Sequence, residues 1–532
     1  VYAETRGLRR GFQVRIRRVT ATISGPPPGA PTIEVRNPAT GALVDTVQDG
    51  GAAGVEAALA AARAAQPAWA ALSFEERRGW LRRLVRALRD DATLLDTLVA
   101  EAGKPRYEAE AMEMFYTLEL TRYYTGRAGQ RALRDDLRHP LIFAHKRARV
   151  VHHPRGVVGV IGPWNWPLLN NFADCVAPLV AGNAVVLKPS EHTPLTSLRV
   201  AALWNEAGLP RDVFQVAVGR GDAGAALARG ADMIFFTGSV AVGREVARTC
   251  GDRLVPAVLE LGGDSAMIVL RDADLPRAAH AAVWSGFANS GQICIRTERV
   301  LVEAPVADQF VELCKGEIAS LRQGAPAAHA SPNGDTAIDV GAITFAPQID
   351  RAERHIADAV AKGAEVVIGG QRRADLRGRF FAPTLIDRAT PEMQVMREET
   401  FGPVLPVMRV ENAEEAMRIA NESPPGGLSG SVWSRDPDKA GALARRMQAG
   451  SVCVNDVLVN YFCVEAPLGG VKGSGLGLRH GPEALRQFCR VETVVEDHPL
   501  LGWLSPLFGR LLTFPYRGVT LRALRRFMKI FY

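Results

Sequence analysis

The chain has 532 residues, 47% hydrophobic and 23% charged, a balance that excludes a disordered or collagenous polypeptide. At roughly 150 residues per domain its length predicts two to four packed units. Its 64 Lys and Arg against 57 Asp and Glu give a formal +7, but residues 1–30 carry +5 and residues 498–532 carry +6, so the long middle is mildly acidic and presents no basic cluster of its own. That distribution argues against a nucleic-acid-binding protein. Seven dispersed cysteines (Cys175, Cys250, Cys294, Cys314, Cys453, Cys463, Cys489) include no Cys-x-x-Cys pair and no zinc-spaced His. They predict neither a disulfide framework nor a metal site, and point to a reducing, cytoplasmic compartment. The N-terminal stretch is Arg-rich and lacks the apolar run of a secretory signal.

In chain order, residues 1–31 read as a basic arm closed by the Pro/Gly linker Ser24-Gly-Pro-Pro-Pro-Gly-Ala-Pro31, with folded sequence starting near Thr32. The Ala-rich stretch 52–66 predicts a helix. A second follows the capping box Ser73-Phe-Glu-Glu76, with Trp80, Leu81, Leu84, Val85 and Leu88 at helical spacing. From residue 157, short β-branched runs alternate with helices: Val157–Ile161, Val185–Leu187, Val213–Val218, Met233–Phe236 and Val255–Leu259 read as buried strands, and 194–207 as a helix between Pro194 and Gly208. This alternation predicts an α/β protein with a parallel sheet covered on both faces, binding its ligand at the carboxyl ends of the strands. A second α/β pattern runs from Ser265 to about residue 455, with a helix around 349–361, a strand at Glu365–Ile368 and strands near 404–410 and 451–455. The segment Gln323–Thr336 reads as an exposed loop.

Three short motifs carry chemistry only in combination. Read alone, Cys294 in Gly291-Gln-Ile-Cys294 is more often a small buried hydrophobe than a nucleophile. Glu260 in Glu260-Leu-Gly-Gly263 ends a predicted buried strand and is either solvated or functional. Asn165 in Gly162-Pro-Trp-Asn-Trp-Pro167 could be a turn residue. With Lys188-Pro-Ser-Glu191, Phe236-Thr-Gly-Ser239, Glu399-Thr-Phe-Gly-Pro403 and Gly469-Gly-Val-Lys-Gly-Ser-Gly475, they stand in one order along residues 32–497.

That ordered set resembles the NAD(P)-dependent aldehyde dehydrogenase superfamily, and Val454-Asn-Asp-Val-Leu458 with Arg479-His-Gly481 looks most like its class 3 and fatty aldehyde dehydrogenase branch. The resemblance implies a Rossmann-like dinucleotide-binding domain (32–138 and 156–261), an α/β catalytic domain (262–477) and a small β oligomerisation element (139–155 and 478–497) of a homodimer or homotetramer. Cys294 matches the nucleophile that forms a thiohemiacetal and then a thioester, and as thiolate it would attack the aldehyde carbon. Asn165 matches the side-chain donor to the oxyanion, and Glu260 the base that activates the hydrolytic water. No metal is required. Trp164, Lys188, Ser190, Glu191, Gly238, Ser239, Gly243, Glu399 and Phe401 match cofactor contacts. Glu191 near the adenosine ribose favours NAD over NADP, with NADP still possible. Trp166, Tyr461 and Phe462 are candidate contacts of an apolar aliphatic or aromatic aldehyde, or core packing. Retention of Glu260 argues against the alternative of a CoA-acylating enzyme, and the intact Asn165, Glu260 and Cys294 set against a catalytically silent scaffold. Asp264-Ser-Ala after Gly263 and Leu468 before Gly469 depart from common family sequence without touching these residues.

Residues 498–532 form a tail of their own. Leu500–Phe514 is apolar apart from Arg510 but is interrupted by Pro506 and too short to span a bilayer. In 519–531 Leu521, Leu524, Met528 and Phe531 share one helical face, and Arg522, Arg525, Arg526 and Lys529 another. The tail suits either peripheral contact with an anionic membrane through 500–531 or packing on the enzyme or a partner subunit.

Overall fold

The computed structural model describes residues 31–326, 338–422 and 426–532. The Arg-rich arm, its linker up to residue 30 and most of the expected 323–336 loop lie outside the described residues.

The first sheet runs, in spatial order, Gly475–Leu476, Ala257–Leu261, Met233–Gly238, Val157–Ile161, Ala184–Lys188 and Phe214–Val216. Its last five strands are parallel, and the two-residue edge strand pairs antiparallel, with Gly475 opposite Glu260. The five predicted strands are all present within two to three residues at their ends. They form because both faces are buried, with alternate residues serving separate cores. Val157, Ile161, Val186, Ile234 and Phe236 pack with Val55, Leu59 and Leu227. Val158, Val160, Val185, Leu187 and Phe235 pack with Phe172, Leu198 and Trp204 on the other side. The chain leaves Val157–Ile161 in one direction and returns to its other edge at Met233–Gly238, so the topological switch lies between these two strands, where ligands of such sheets bind.

The helix expected at 52–66 is Gly51–Ala71, continuing past Pro67. The capping box forms: Glu76 N–H donates to Ser73 Oγ (3.3 Å) and Ser73 N–H to Glu76 Oε2 (2.7 Å). The second sheet has seven strands in the order Glu365–Ile368, Thr384–Asp387, Val404–Val410, Arg299–Glu303, Ala266–Val269, Ser429–Trp433 and Ser451–Val454, parallel except for the first pair. A third sheet joins Asp136–Arg138, Lys146–Pro154 and Cys489–Asp497, with Cys489 opposite Pro154 and Asp497 opposite Lys146. Its surface leaves Val491, Val494 and Val495 exposed. Beyond it, the helices Ser505–Leu512 and Gly518–Phe531 bury no residue. Among the described residues, no helix is long and apolar enough to cross a membrane.

Candidate active site

Strand Val157–Ile161 ends in Gly162-Pro-Trp-Asn-Trp-Pro167, which crosses the carboxyl end of the first sheet. Asn165 is buried there: its Nδ2 donates to the Gln292 carbonyl (2.8 Å), while its own carbonyl accepts from Lys104 Nζ (2.8 Å) and Asn289 Nδ2 (2.9 Å). Lys104 Nζ also pairs with Glu113 (2.6 Å), whose second oxygen accepts from the amides of Leu168 and Leu169. A fully buried Lys–Glu pair thus fixes the loop that presents Asn165.

Cys294 follows helix Leu275–Phe287 across a strained turn, in which Asn289 and Ser290 take the left-handed region (φ 49° and 56°). Gly291 (φ 75°) completes it, where a Cβ would overlap the Gly402 carbonyl. Gln292 holds the turn from both ends of its amide: Nε2 donates to the Asn289 carbonyl (2.8 Å) and Oε1 accepts from Thr344 N–H (2.9 Å).

The turn sets Cys294 in the wall of two cavities. One, a narrow pocket of about 20 Å³, is lined by Trp166, Tyr461 and Phe462 with Met112, Leu169, Asn170, Ile293, Ile295 and Leu458, and no charged side chain faces it. The other is an open cleft of about 580 Å³ over the switch point, lined by Trp164, Asn165, Lys188, Ser190, Glu191, Gly238, Ser239, Glu260, Glu399 and Phe401. Of the cofactor residues named from sequence, Gly243 stands apart from this lining. It lies one turn into helix Val240–Asp252, where a Cβ would overlap Leu261, so its bareness serves helix-on-strand packing.

Glu260 projects from the last residues of Ala257–Leu261. Burial pushes its carboxyl up to about 7, against the pull of Arg479, and its Oε1 has no hydrogen-bond partner. Burial likewise pushes the Cys294 thiol up to about 12; Arg479 draws it down, while Glu260 and Glu399 push it further up. Burial and the two carboxylates favour the protonated sulfur, so the attacking thiolate forms as its proton leaves. Burial and the neighbouring Glu298 raise Glu399 to about 8; its Oε1 accepts from Gly263 N–H (3.3 Å), and a Cβ at Gly262 would overlap its carboxylate. Asp264, the departure noted in sequence, is buried beside Arg299 (3.6 Å).

The cleft fits a dinucleotide. Ser239 Oγ caps helix Val240–Asp252 by accepting from Val242 N–H (3.4 Å), which opens a helix N-terminus, a natural phosphate site, onto the cleft. At Gly238 a Cβ would press on the Phe236 ring (2.6 Å), keeping the approach bare. Lys188 Nζ lies 3.4 Å from Glu191. Burial opposes ionisation of Glu191, but Lys188 beside it holds the carboxyl below the usual range. Phe401 (φ 53°) meets Trp164 edge to face at 5.5 Å.

Several lining residues carried no sequence signal. Met112 lies on a π-helical turn, Glu108–Met114, which no periodicity announces. Phe345 and His192, whose rings meet at 4.8 Å tilted by 42° in the cleft, come from loops. Arg479 was visible only as part of a family-like tripeptide, yet it is buried behind the pocket, bonded to Asn170, Tyr461, Asp174 and Thr237.

Residues 27–494 match the family model described as the aldehyde dehydrogenase family. A protein of Mycolicibacterium smegmatis, provisionally named succinate-semialdehyde dehydrogenase (NADP+), is 39% identical over 490 residues, covering 90% of this chain and 92% of its own. A 4,4'-diapolycopene aldehyde oxidase of a Methylomonas species is 38% identical over 86% of this chain and 84% of its own. Among solved structures, the Mycobacterium tuberculosis aldehyde dehydrogenase complexed with NAD+ superposes with a TM-score of 0.83 at 36% identity, over 88% of this chain and 95% of the other. Such likeness supports the superfamily, but it does not single out the class 3 and fatty aldehyde branch.

Proposed function

Because the chain belongs to the aldehyde dehydrogenase family and oxidises an aldehyde with NAD(P), we propose that its substrate is a largely apolar aldehyde, medium- to long-chain or aromatic. The observation that carries this reading is the pocket on one side of Cys294, lined by Trp166, Tyr461, Phe462, Met112 and Leu169 without a charged group. A semialdehyde bearing a carboxylate would bury that charge unpaired there, a loss of several kcal/mol on general grounds. Among the relatives, the name 4,4'-diapolycopene aldehyde oxidase denotes a polyene substrate of the same apolar kind.

The residues act as follows. Cys294 Sγ bonds to the aldehyde carbon and its proton passes to a nearby base, for which Glu260, poised near neutrality, is placed in the same cleft. The Asn165 amide and the Cys294 backbone N–H receive the oxyanion. A nicotinamide held near Glu399, Phe401 and Trp164 would supply the hydride acceptor for oxidation of the thiohemiacetal to the thioester. Glu260 then takes a proton from the water that cleaves the thioester, releasing the acid and restoring the thiol. In sum, aldehyde, oxidised cofactor and water become carboxylate, reduced cofactor and two protons. Ser239, Lys188, Ser190, Glu191 and Gly238 hold the adenosine and phosphate end, and Glu399, Phe401 and Trp164 the nicotinamide ribose end.

The exposed third sheet serves as the oligomerisation element of a homodimer or homotetramer, and the tail as a peripheral contact with anionic membrane. The helix Gly518–Phe531 presents Leu521, Leu524, Phe527, Met528 and Ile530 to solvent beside four cations, and residues 498–532 contain no acidic side chain. Sedimentation with anionic vesicles, lost when the chain ends at Asp497, is the expected outcome; equal sedimentation of both forms overturns the membrane reading.

The substrate reading is tested by initial rates of cofactor reduction over a chain-length series of alkanals, benzaldehyde and succinate semialdehyde, with Cys294→Ala as control. Apolar aldehydes are expected to exceed succinate semialdehyde in kcat/KM by at least tenfold. A preference for succinate semialdehyde refutes it, and full turnover by Cys294→Ala refutes the mechanism.

A further inference from the structure

We propose that Arg479 is a positioning residue of the reaction: a fixed cation behind the site that holds the acyl-pocket wall and offsets the negative charge developed at Cys294 and Glu260. The inference rests on the reading of Cys294 as nucleophile and deepens it.

The geometry is that of a side chain built in place. Arg479 sits at the end of a short backbone ladder, exchanging both hydrogen bonds with Leu468 (2.6 and 2.7 Å), and the next residue, His480, is held at φ 64°. One guanidinium nitrogen, Nη1, donates to Asn170 Oδ1 (3.1 Å) and Tyr461 Oη (2.9 Å), both on residues that line the pocket. Tyr461 Oη in turn donates to the same Asn170 oxygen (2.6 Å), closing a three-membered ring of contacts. The other nitrogen, Nη2, donates to Asp174 (2.8 Å) and to Thr237 Oγ1 (2.8 Å). Thr237 lies directly opposite Glu260 in the parallel ladder, so the guanidinium is tied to the strand beside the one that carries the base. The cation also lies over the rings of Phe235 (5.3 Å) and Tyr461 (5.5 Å).

The charged and titratable groups acting on the Cys294 sulfur are Glu260 from the strand Ala257–Leu261, Glu399 from the loop before Val404–Val410, and Arg479; Tyr461, from the pocket wall, interacts with both sulfur and cation. Of these, only Arg479 is a cation. Lys104, beyond Asn165, is bound to Glu113, and His480 is kept neutral, pushed down to about 3 by burial and by Arg479 itself. Asp174, from helix Phe172–Val180, accepts from Nη2 of the guanidinium and draws on the same charge. Arginine suits this duty, since it remains protonated in a buried site and its fork makes four bonds that an ammonium cannot reproduce.

The test reads the sulfur directly: the pH profile of Cys294 alkylation by iodoacetamide in the full-length protein, with the other six cysteines replaced by Ser or Ala. Arg479→Met is expected to raise the apparent pKa of alkylation by a unit or more and to slow alkylation at pH 7.5 at least tenfold. Asp174→Asn is expected to move it in the opposite direction, because it removes an anion and leaves the cation. Arg479→Lys keeps the pKa within half a unit of the parent but raises KM for apolar aldehydes, since Tyr461 and Asn170 lose their shared donor. A general structural disturbance would move Arg479→Met and Asp174→Asn the same way, and that result overturns the proposal, as does an unchanged pKa in Asp174→Asn, the variant that remains informative if Arg479→Met does not fold. The readout needs no aldehyde, so the proposal and the substrate reading fail separately.

Discussion

Replacing Glu260 by Gln should remove activity and, at alkaline pH, make the protein more stable. The folded carboxyl titrates near 7 against an ordinary 4.5 because burial leaves its Oε1 without a partner. The unfolded chain gives up that proton more readily, so the folded state loses stability as pH rises through the window from 4.5 to 7 and suffers none of this penalty below it. A shift of this size corresponds to about 3 kcal/mol when the window is fully crossed, most of it between pH 5 and pH 8.5. Gln does not titrate and escapes the penalty, while any fixed cost of its buried amide cancels between the two pH values. Urea unfolding of wild type and Glu260→Gln at pH 5 and pH 8.5 gives the double difference, expected at about 2–3 kcal/mol in favour of the variant at pH 8.5. Steady-state turnover should fall by about 10²–10⁴, because the variant lacks the base for both thiol deprotonation and thioester hydrolysis. An identical stability offset at both pH values, or retained turnover, refutes the picture of a strained buried base.

Asn165→Ala removes one oxyanion donor and is expected to lower kcat/KM by about 10²–10³ with cofactor affinity unchanged, as read by initial rates and fluorescence titration. Lys104→Met leaves Glu113 buried without its cation and should cost about 3–5 kcal/mol in urea unfolding; the double change Lys104→Met with Glu113→Gln should recover part of it. Glu191→Ala removes the carboxylate opposed to a 2′-phosphate, so the ratio of kcat/KM for NADP to that for NAD should rise.

The buried strands of the first sheet were legible because runs such as Val157–Ile161 are β-branched and bounded by turn residues, and the capping box because it is a local exchange of two hydrogen bonds. Strands such as Ala266–Val269 and Ser429–Trp433 were not singled out: they are short, contain Ala, Ser and Gly, and owe their state to neighbours distant in sequence. At the site, Cys294, Glu260 and Asn165 stood in ordered motifs, whereas the charge environment that sets their protonation could not be read. Arg479 acts electrostatically on the sulfur only because the chain folds back to the first sheet, and Met112 faces the pocket from a π-helical turn. Gly243, named with the cofactor residues, packs helix against strand outside the cleft lining, since a packing glycine and a phosphate-turn glycine look alike in one dimension.

The two-residue strand Gly475–Leu476 sets an order of assembly. It closes the edge of the first sheet directly against Glu260, and the ladder between Leu468 and Arg479 follows from the same return of the chain. During synthesis the nucleotide sheet can form early, but the base stays uncovered and the cation absent until residues 475–479 have emerged. The thiol therefore meets its complete electrostatic surroundings only in the finished protein, and a chain interrupted before residue 475 would bind neither its own edge nor the charge that tunes its sulfur.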